Sequence, residues 1–337
     1  MSADTQLPAA TATRRFWSLS GPALGLVGVF VLFVILIGLK GELDKFLRPG
    51  NLRVLLHEGT IPGVLALGML LVVISGGIDL SVGAVVALVT VVTMRVFVLA
   101  YERFGSGPVT SLLAVVSGIL AGGLCGLANG LLITRLKLPS FVVTLGMLSV
   151  ARGSAIWLAE RAPIAFPLNA RPEWVEVLAR SSFLNPGFLS LIALALVIAV
   201  VLHSTVFGRH LYAVGSNEAT ARLCGVSVER VRVGVYTING LLAGWAGVLM
   251  FAHGDSGNPT AAEGMELIVI AAVVIGGASL GGGRGTVSGA LIGVLILGLL
   301  ENGVRVFSVP IEIQYILVGI IILANAALSQ WQRPRQT

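Results

Sequence analysis

Asp79 has the most unusual chemistry for its surroundings in this 337-residue chain, a carboxylate with long apolar runs on both sides. The segment reads Gly76-Gly77-Ile78-Asp79-Leu80-Ser81-Val82-Gly83. In a bilayer such a carboxylate is costly unless it is paired, wetted or at a helix end. Two readings follow. The paired glycines weaken a helix, and Asp79 or Ser81 can cap a new one at Leu80, which makes the stretch a turn between helices. The other reading is an ion- or substrate-binding carboxylate deep in the membrane.

A second cluster runs Gly276-Gly277-Ala278-Ser279-Leu280-Gly281-Gly282-Gly283-Arg284-Gly285. Glycine-rich loops expose N–H groups to phosphates, but no Lys-Ser/Thr pair follows and no strand pattern precedes. A tight turn on the cytoplasmic side, with Arg284 as an orientation anchor, is the expectation. The two clusters echo one another, Val72-Val73-Ile74-Ser75-Gly76-Gly77 against Val273-Val274-Ile275-Gly276-Gly277, as in transporters built by internal duplication. A third feature is the basic stretch Gly208–Val226. Ser216 or Asn217 can cap a short helix through Leu223, which Gly225 can end. It is either a solvated linker or a docking element in which Arg222 meets a partner's carboxylate. No Walker lysine, HExxH or metal-ligand spacing occurs, so neither a catalytic nor a metal site is expected. Cys125 and Cys224 are not expected to pair.

The elements that must position these residues are membrane helices. Of the residues 56% are apolar and only 11% charged, against roughly 25% charged in soluble domains. The 43 glycines suit helices that pack closely in lipid, and the net charge of +6 reads as topology, not nucleic-acid binding. Apolar spans are expected at Leu19–Leu39, Gly59–Ile78, Leu80–Ala100, Val109–Thr134, Leu138–Ala159, Pro186–Thr205, Val233–Ala252 and Ile313–Gln330. The run Leu267–Leu300 is too long for one span and is divided at Gly281–Gly285, giving ten in all. The fold class is therefore an all-α polytopic bundle. Eleven basic residues on the side of the N-terminus against nine opposite place both termini in the cytoplasm. The organisation is a tail over 1–18, a membrane unit over 19–330 that contains a cytoplasmic loop at 207–232, and a tail over 331–337.

From about Leu52 to Ala326 the chain resembles the permease subunits of bacterial ABC importers of the ribose, xylose, galactose and autoinducer-2 type. The resemblance rests on the Gly76–Gly83 segment, on Leu138-Pro139-Ser140-Phe141-Val142-Val143-Thr144-Leu145-Gly146-Met147 and on the Gly208–Val226 loop. It continues through Asn258-Pro259-Thr260, Glu266-Leu267 and Val274–Leu280 to Gly282-Gly283-Arg284-Gly285. Cys224 and Ala262 depart from the pattern, where a small residue and a glycine are usual. The resemblance implies an inner-membrane subunit paired with a second permease subunit, identical or related. It also implies a cytoplasmic ATPase with tandem nucleotide-binding halves, which carries the ATP and Mg, and a periplasmic solute-binding protein. Gly208, Arg209, Ala213, Gly215, Asn217, Ala221, Arg222 and Gly225 then belong to the loop that docks on the ATPase. Asn129, Thr144, Asn239 and Asn302, polar groups within apolar spans, are candidates to line a path for a neutral polyhydroxyl solute or to bond between helices. The competing function is a carrier driven by an ion gradient through Asp79.

Overall fold

The computed structural model describes residues 10–307, apart from 181, 183 and 184, together with positions 313, 316 and 319. The expected span Ile313–Gln330 and the C-terminal tail lie essentially outside them. The helices are α1 (Ala10–Leu39), α2 (Leu43–Leu47), α3 (Pro49–Glu58), α4 (Thr60–Ile74), α5 (Val82–Phe104), α6 (Pro108–Arg135) and α7 (Ser140–Leu158). They continue as α8 (Glu173–Ala179), α9 (Pro186–Ser204), α10 (Val206–Ser216), α11 (Glu218–Leu223), α12 (Val228–Gly254), α13 (Met265–Ile275) and α14 (Val287–Val306). Two short strands, β1 (Ile164–Ala165) and β2 (Ser256–Gly257), pair antiparallel.

Eight helical stretches among the described residues are long and apolar enough to cross a membrane, α3 and α4 counting as one. The inner layer is α4, α5 and α12, whose membrane stretches are mostly buried; α1, α6, α7 and α9 form the outer layer and present leucine and valine outward. The α6–α12 contact is made by small residues. A side chain at Gly122 or Gly126 of α6 would collide with the α12 backbone at Gly240, and one at Gly244 of α12 with that of Ile119. Close backbone approach of this kind replaces the hydrophobic drive that lipid removes.

Several spans differ from their expected bounds. Helix already begins at Ala10, nine residues before the expected Leu19. Helix α4 stops at Ile74, four residues short of the expected Ile78, and α5 starts at Val82 instead of Leu80. The run Leu267–Leu300 is divided as expected, by a break over 276–286 that contains Gly281–Gly285 but begins earlier, after Ile275, which leaves α13 with eleven residues, about 16 Å of helix. The connection between α7 and α9 holds β1 and α8.

The echo of glycines has a structural counterpart. The Gly77 N–H bonds the Val72 carbonyl and Gly76 N–H that of Val73; Ala278 N–H bonds Val273 and Gly277 N–H bonds Val274 in the same pattern. Gly76 (φ +78°) and Gly277 (φ +92°) are both left-handed, as this helix ending requires. Both α4 and α13 thus end by one device, and both breaks lie at the same end of the bundle, where Gly283 N–H meets the Ile74 carbonyl at 2.9 Å.

Candidate functional site

The short helix expected in the basic loop is α11. The Asn217 side chain accepts from Thr220 N–H at 2.9 Å and caps it, and Gly225 (φ +82°) follows its end. Glu218 in its first turn and Arg222 in its last complement the helix dipole. Arg222 contacts Glu218 at 3.0 Å and Glu229 at 2.6 Å, while Arg232 meets Glu218 at 2.6 Å. The guanidinium expected to face a partner is therefore engaged within the chain. What α11 presents outward is Leu223, 89% exposed, a residue whose exposure the hydrophobic pattern alone does not signal.

Helix α10 seats this loop on both breaks. Ala213 and Gly215 lie in its last turns, Gly208 in its first, where the Thr205 hydroxyl caps Gly208 N–H. A Cβ at Gly215 would fall on the Ile74 carbonyl and close to Gly283 N–H. Gly282 packs on the Gly215 carbonyl and Gly283 on Ser216, and both adopt left-handed backbone (φ +83° and +70°) that a side chain would strain. The Tyr212 hydroxyl donates to the Gly285 carbonyl at 2.8 Å, and burial pushes its pKa up, which keeps it a donor. Arg284 is exposed at the tip of the same turn, and Gly276 packs on the Gly289 carbonyl of α14. Ala221 is the buried residue of α11, and Arg209 stands on α10.

The segment after Ile74 turns back into the bundle. Asp79, 2% exposed, accepts from Ser81 N–H at 2.8 Å and the Ser81 hydroxyl at 2.6 Å through one oxygen, and from Asn239 Nδ2 at 2.8 Å through the other. Asp79 therefore forms a turn ahead of α5 and does not cap a helix at Leu80. Asn129 Nδ2 of α6 donates to the Ser81 hydroxyl at 3.0 Å. The Ser140 hydroxyl accepts from Ile78 N–H at 3.2 Å, and the Thr144 hydroxyl of α7 donates to the Ile78 carbonyl at 3.3 Å. Three of the four polar residues singled out in the spans thus converge on one buried knot that ties α6, α7 and α12 to residues 78–81. Asn302 lies elsewhere: it and Asn51 exchange two hydrogen bonds of 2.8 Å between α14 and α3. Gly77 faces the buried Tyr236 hydroxyl of α12.

An apolar hollow of about 540 Å³ lies between α4, α9 and α14, lined by Gly63, Phe188, Leu191, Ala195 and Leu291 among others. Its walls offer few polar partners and do not suit a hydroxyl-rich solute.

Residues 52–326 match the family described as the branched-chain amino acid transport system / permease component. The chain is 40% identical over 313 residues to the ribose import permease protein of Bacillus subtilis, covering 92% of each. It is 34% identical to the fructose import permease protein of Rhizobium meliloti (93% of this chain, 85% of the relative). The L-arabinose ABC transporter permease protein of Azospirillum brasilense is also 34% identical (98% and 94%). The chain belongs to this family of transport permeases. No solved structure gives a significant match. The permease is an integral, multi-pass protein of the cell membrane, a transport subunit and not an enzyme in its own right. Its departure at Ala262 has a structural reading: Ala262 is left-handed (φ +55°), the conformation that glycine adopts without strain.

Proposed function

We propose that this permease is the membrane-spanning subunit of an ATP-driven importer of a monosaccharide or similar neutral polyhydroxyl solute in the bacterial inner membrane, with both termini cytoplasmic. The observation that carries the reading is α11, a capped helix with an exposed leucine, seated through Gly215 on the ends of two broken membrane segments. The names of the three relatives, import permeases for ribose and fructose and an ABC transporter permease for L-arabinose, support the solute class.

The partners follow from that division of labour. A cytoplasmic ATPase with tandem nucleotide-binding halves binds ATP and Mg and docks on 207–232; a periplasmic binding protein delivers the solute; a second permease subunit completes the path. When the ATPase closes, it moves α10 and α11. Gly215 leaves no side chain to absorb the motion, so it reaches the Ile74 carbonyl and the Gly282-Gly283 turn directly. The Asp79 knot keeps α6, α7 and α12 in step with residues 78–81. Its three donors argue against an ion carrier, which needs a carboxylate free to exchange its ligand.

Leu223→Asp is the test of docking. It replaces an exposed apolar anchor with a carboxylate and should lower recovery of the ATPase on purification of the permease at least about tenfold. Membrane level should be unchanged, because Leu223 packs little within the chain. Undiminished recovery of the ATPase would remove α11 from the interface.

A further inference from the structure

The segment between α12 and α13 enters the bundle without helical structure. Gly257 lies against Thr90, Val91 and Met94 of α5, and Asn258 bonds the Thr90 hydroxyl through both its N–H and its carbonyl at 3.1 Å. Four residues after Asn258 the Ala262 carbonyl lies against Gly83, beside the Glu266 carboxylate. The segment thus descends α5 from Thr90 to Gly83, roughly 10 Å of helix axis. Gly83 itself is twelve residues from Arg95, which bonds the Leu158 carbonyl and pairs with Glu160 just past the end of α7. That puts Ala262 and Glu266 about 18 Å below that end, near the middle of a ~30 Å hydrocarbon layer. The eleven-residue α13 covers only the remaining half.

Irregular backbone at that depth occurs where it is buried in protein or lines a water-filled cavity. Here part of it is held: Arg152 Nη1 donates to the Pro259 and Ala261 carbonyls at 2.8 and 3.1 Å. The rest is open. Thr260, Glu263 and Leu267 are exposed on the free side of the segment. A carboxylate facing acyl chains costs roughly 2.5–3.5 kcal/mol, so Glu263 faces water. Oxygen Oε2 of Glu266 is enclosed yet has no hydrogen-bond partner within the described residues. A carboxylate oxygen with unused acceptor capacity, next to a wet surface at mid-membrane, is suited to a hydroxyl group.

We infer that Thr260, Glu263 and Glu266 line the solute path at mid-membrane and that Glu266 accepts a hydrogen bond from a solute hydroxyl. The assignment deepens the proposed function and rests on it for the solute. It moves the path away from Asn129, Thr144 and Asn239, whose side chains are enclosed in the Asp79 knot. The purely structural alternative gives Glu266 one task, to complement the N-terminal ends of α5 and α13.

Two arms separate these readings. In the first, Cys125 and Cys224 are replaced, and single cysteines at Thr260, Glu263 and Leu124 are exposed in membranes to a charged, membrane-impermeant methanethiosulfonate. Cysteines at 260 and 263 should react, and the one at 124, on the outward apolar face of α6, should not. Failure of both 260 and 263 to react overturns the path assignment, whatever drives transport. In the second, the full transporter with its ATPase and binding protein carries Glu266→Gln, and uptake of ribose and arabinose is measured separately. The amide donates as well as accepts, so the ribose-to-arabinose uptake ratio should shift by about fivefold. An equal loss for both sugars assigns Glu266 a structural role and overturns the hydroxyl contact.

Discussion

Gly215→Val is expected to abolish uptake while the permease remains inserted and bound to its ATPase. The added side chain has nowhere to go. Its Cβ falls on the Ile74 carbonyl, with Gly283 N–H and the carbon of Ile74 next in line, and all of these are backbone. Relief requires either that α10 lift away from α4 and from the Gly282-Gly283 turn, or that the side chain part the 2.9 Å bond between Gly283 N–H and the Ile74 carbonyl. Overpacking of this kind costs about 1–3 kcal/mol, which a large membrane bundle survives. The contact that transmits motion does not. Gly28→Val on α1, where a Cβ meets nothing within 4 Å, is the matched control and should transport normally. The measurement is solute uptake per purified transporter together with ATPase recovery. Normal uptake by Gly215→Val would show that α10 does not act through this contact.

The second large effect is at Asp79, where two substitutions should part company. Asp79→Ala strands the Ser81 N–H and hydroxyl and the Asn239 amide in a site sealed from water, and should destabilise the permease by about 2–4 kcal/mol. In detergent this reads as a lower unfolding midpoint and a smaller yield of monodisperse protein. Asp79→Asn keeps the shape and one carbonyl acceptor. Its new amide protons face a site where the Asn129 and Asn239 Oδ1 atoms have no partner among the described residues, so one of them can accept. It should retain uptake of the same order as the unaltered permease. An ion carrier working through this carboxylate would behave otherwise, losing transport as fully in Asp79→Asn as in Asp79→Ala.

The membrane class, the position of most spans and the caps of α11 were legible in the chain because they rest on local chemistry. Asn217 and Gly225 bracket α11 by the residue types that cap helices. The glycine echo pointed to a repeated device, and its two helix ends share one hydrogen-bond pattern. The point at which α13 ends was not legible. Val273-Val274-Ile275 runs into Gly276-Gly277-Ala278 without a charged or proline residue, and the larger glycine group five residues later is the stronger local signal. The Asp79 knot was hidden for another reason. Its partners Asn129 and Asn239 are 48 to 160 residues distant from the groups they bond, and a polar side chain in an apolar span reads alike whether it meets another helix or a solute. The seat of Gly215 on Ile74 and Gly283 is equally non-local. The Asn258–Glu266 motif was visible, but its depth depends on which part of α5 it follows, Thr90 to Gly83.

On the proposed function, transport by this permease is driven by ATP on a partner subunit. The direct measurement is uptake of labelled ribose, fructose or arabinose into proteoliposomes that contain the permease, its ATPase and its binding protein. Uptake of at least one sugar should require ATP and all three components and should persist when ion gradients are collapsed. Uptake by the permease alone on an imposed ion gradient, without ATP, would contradict it.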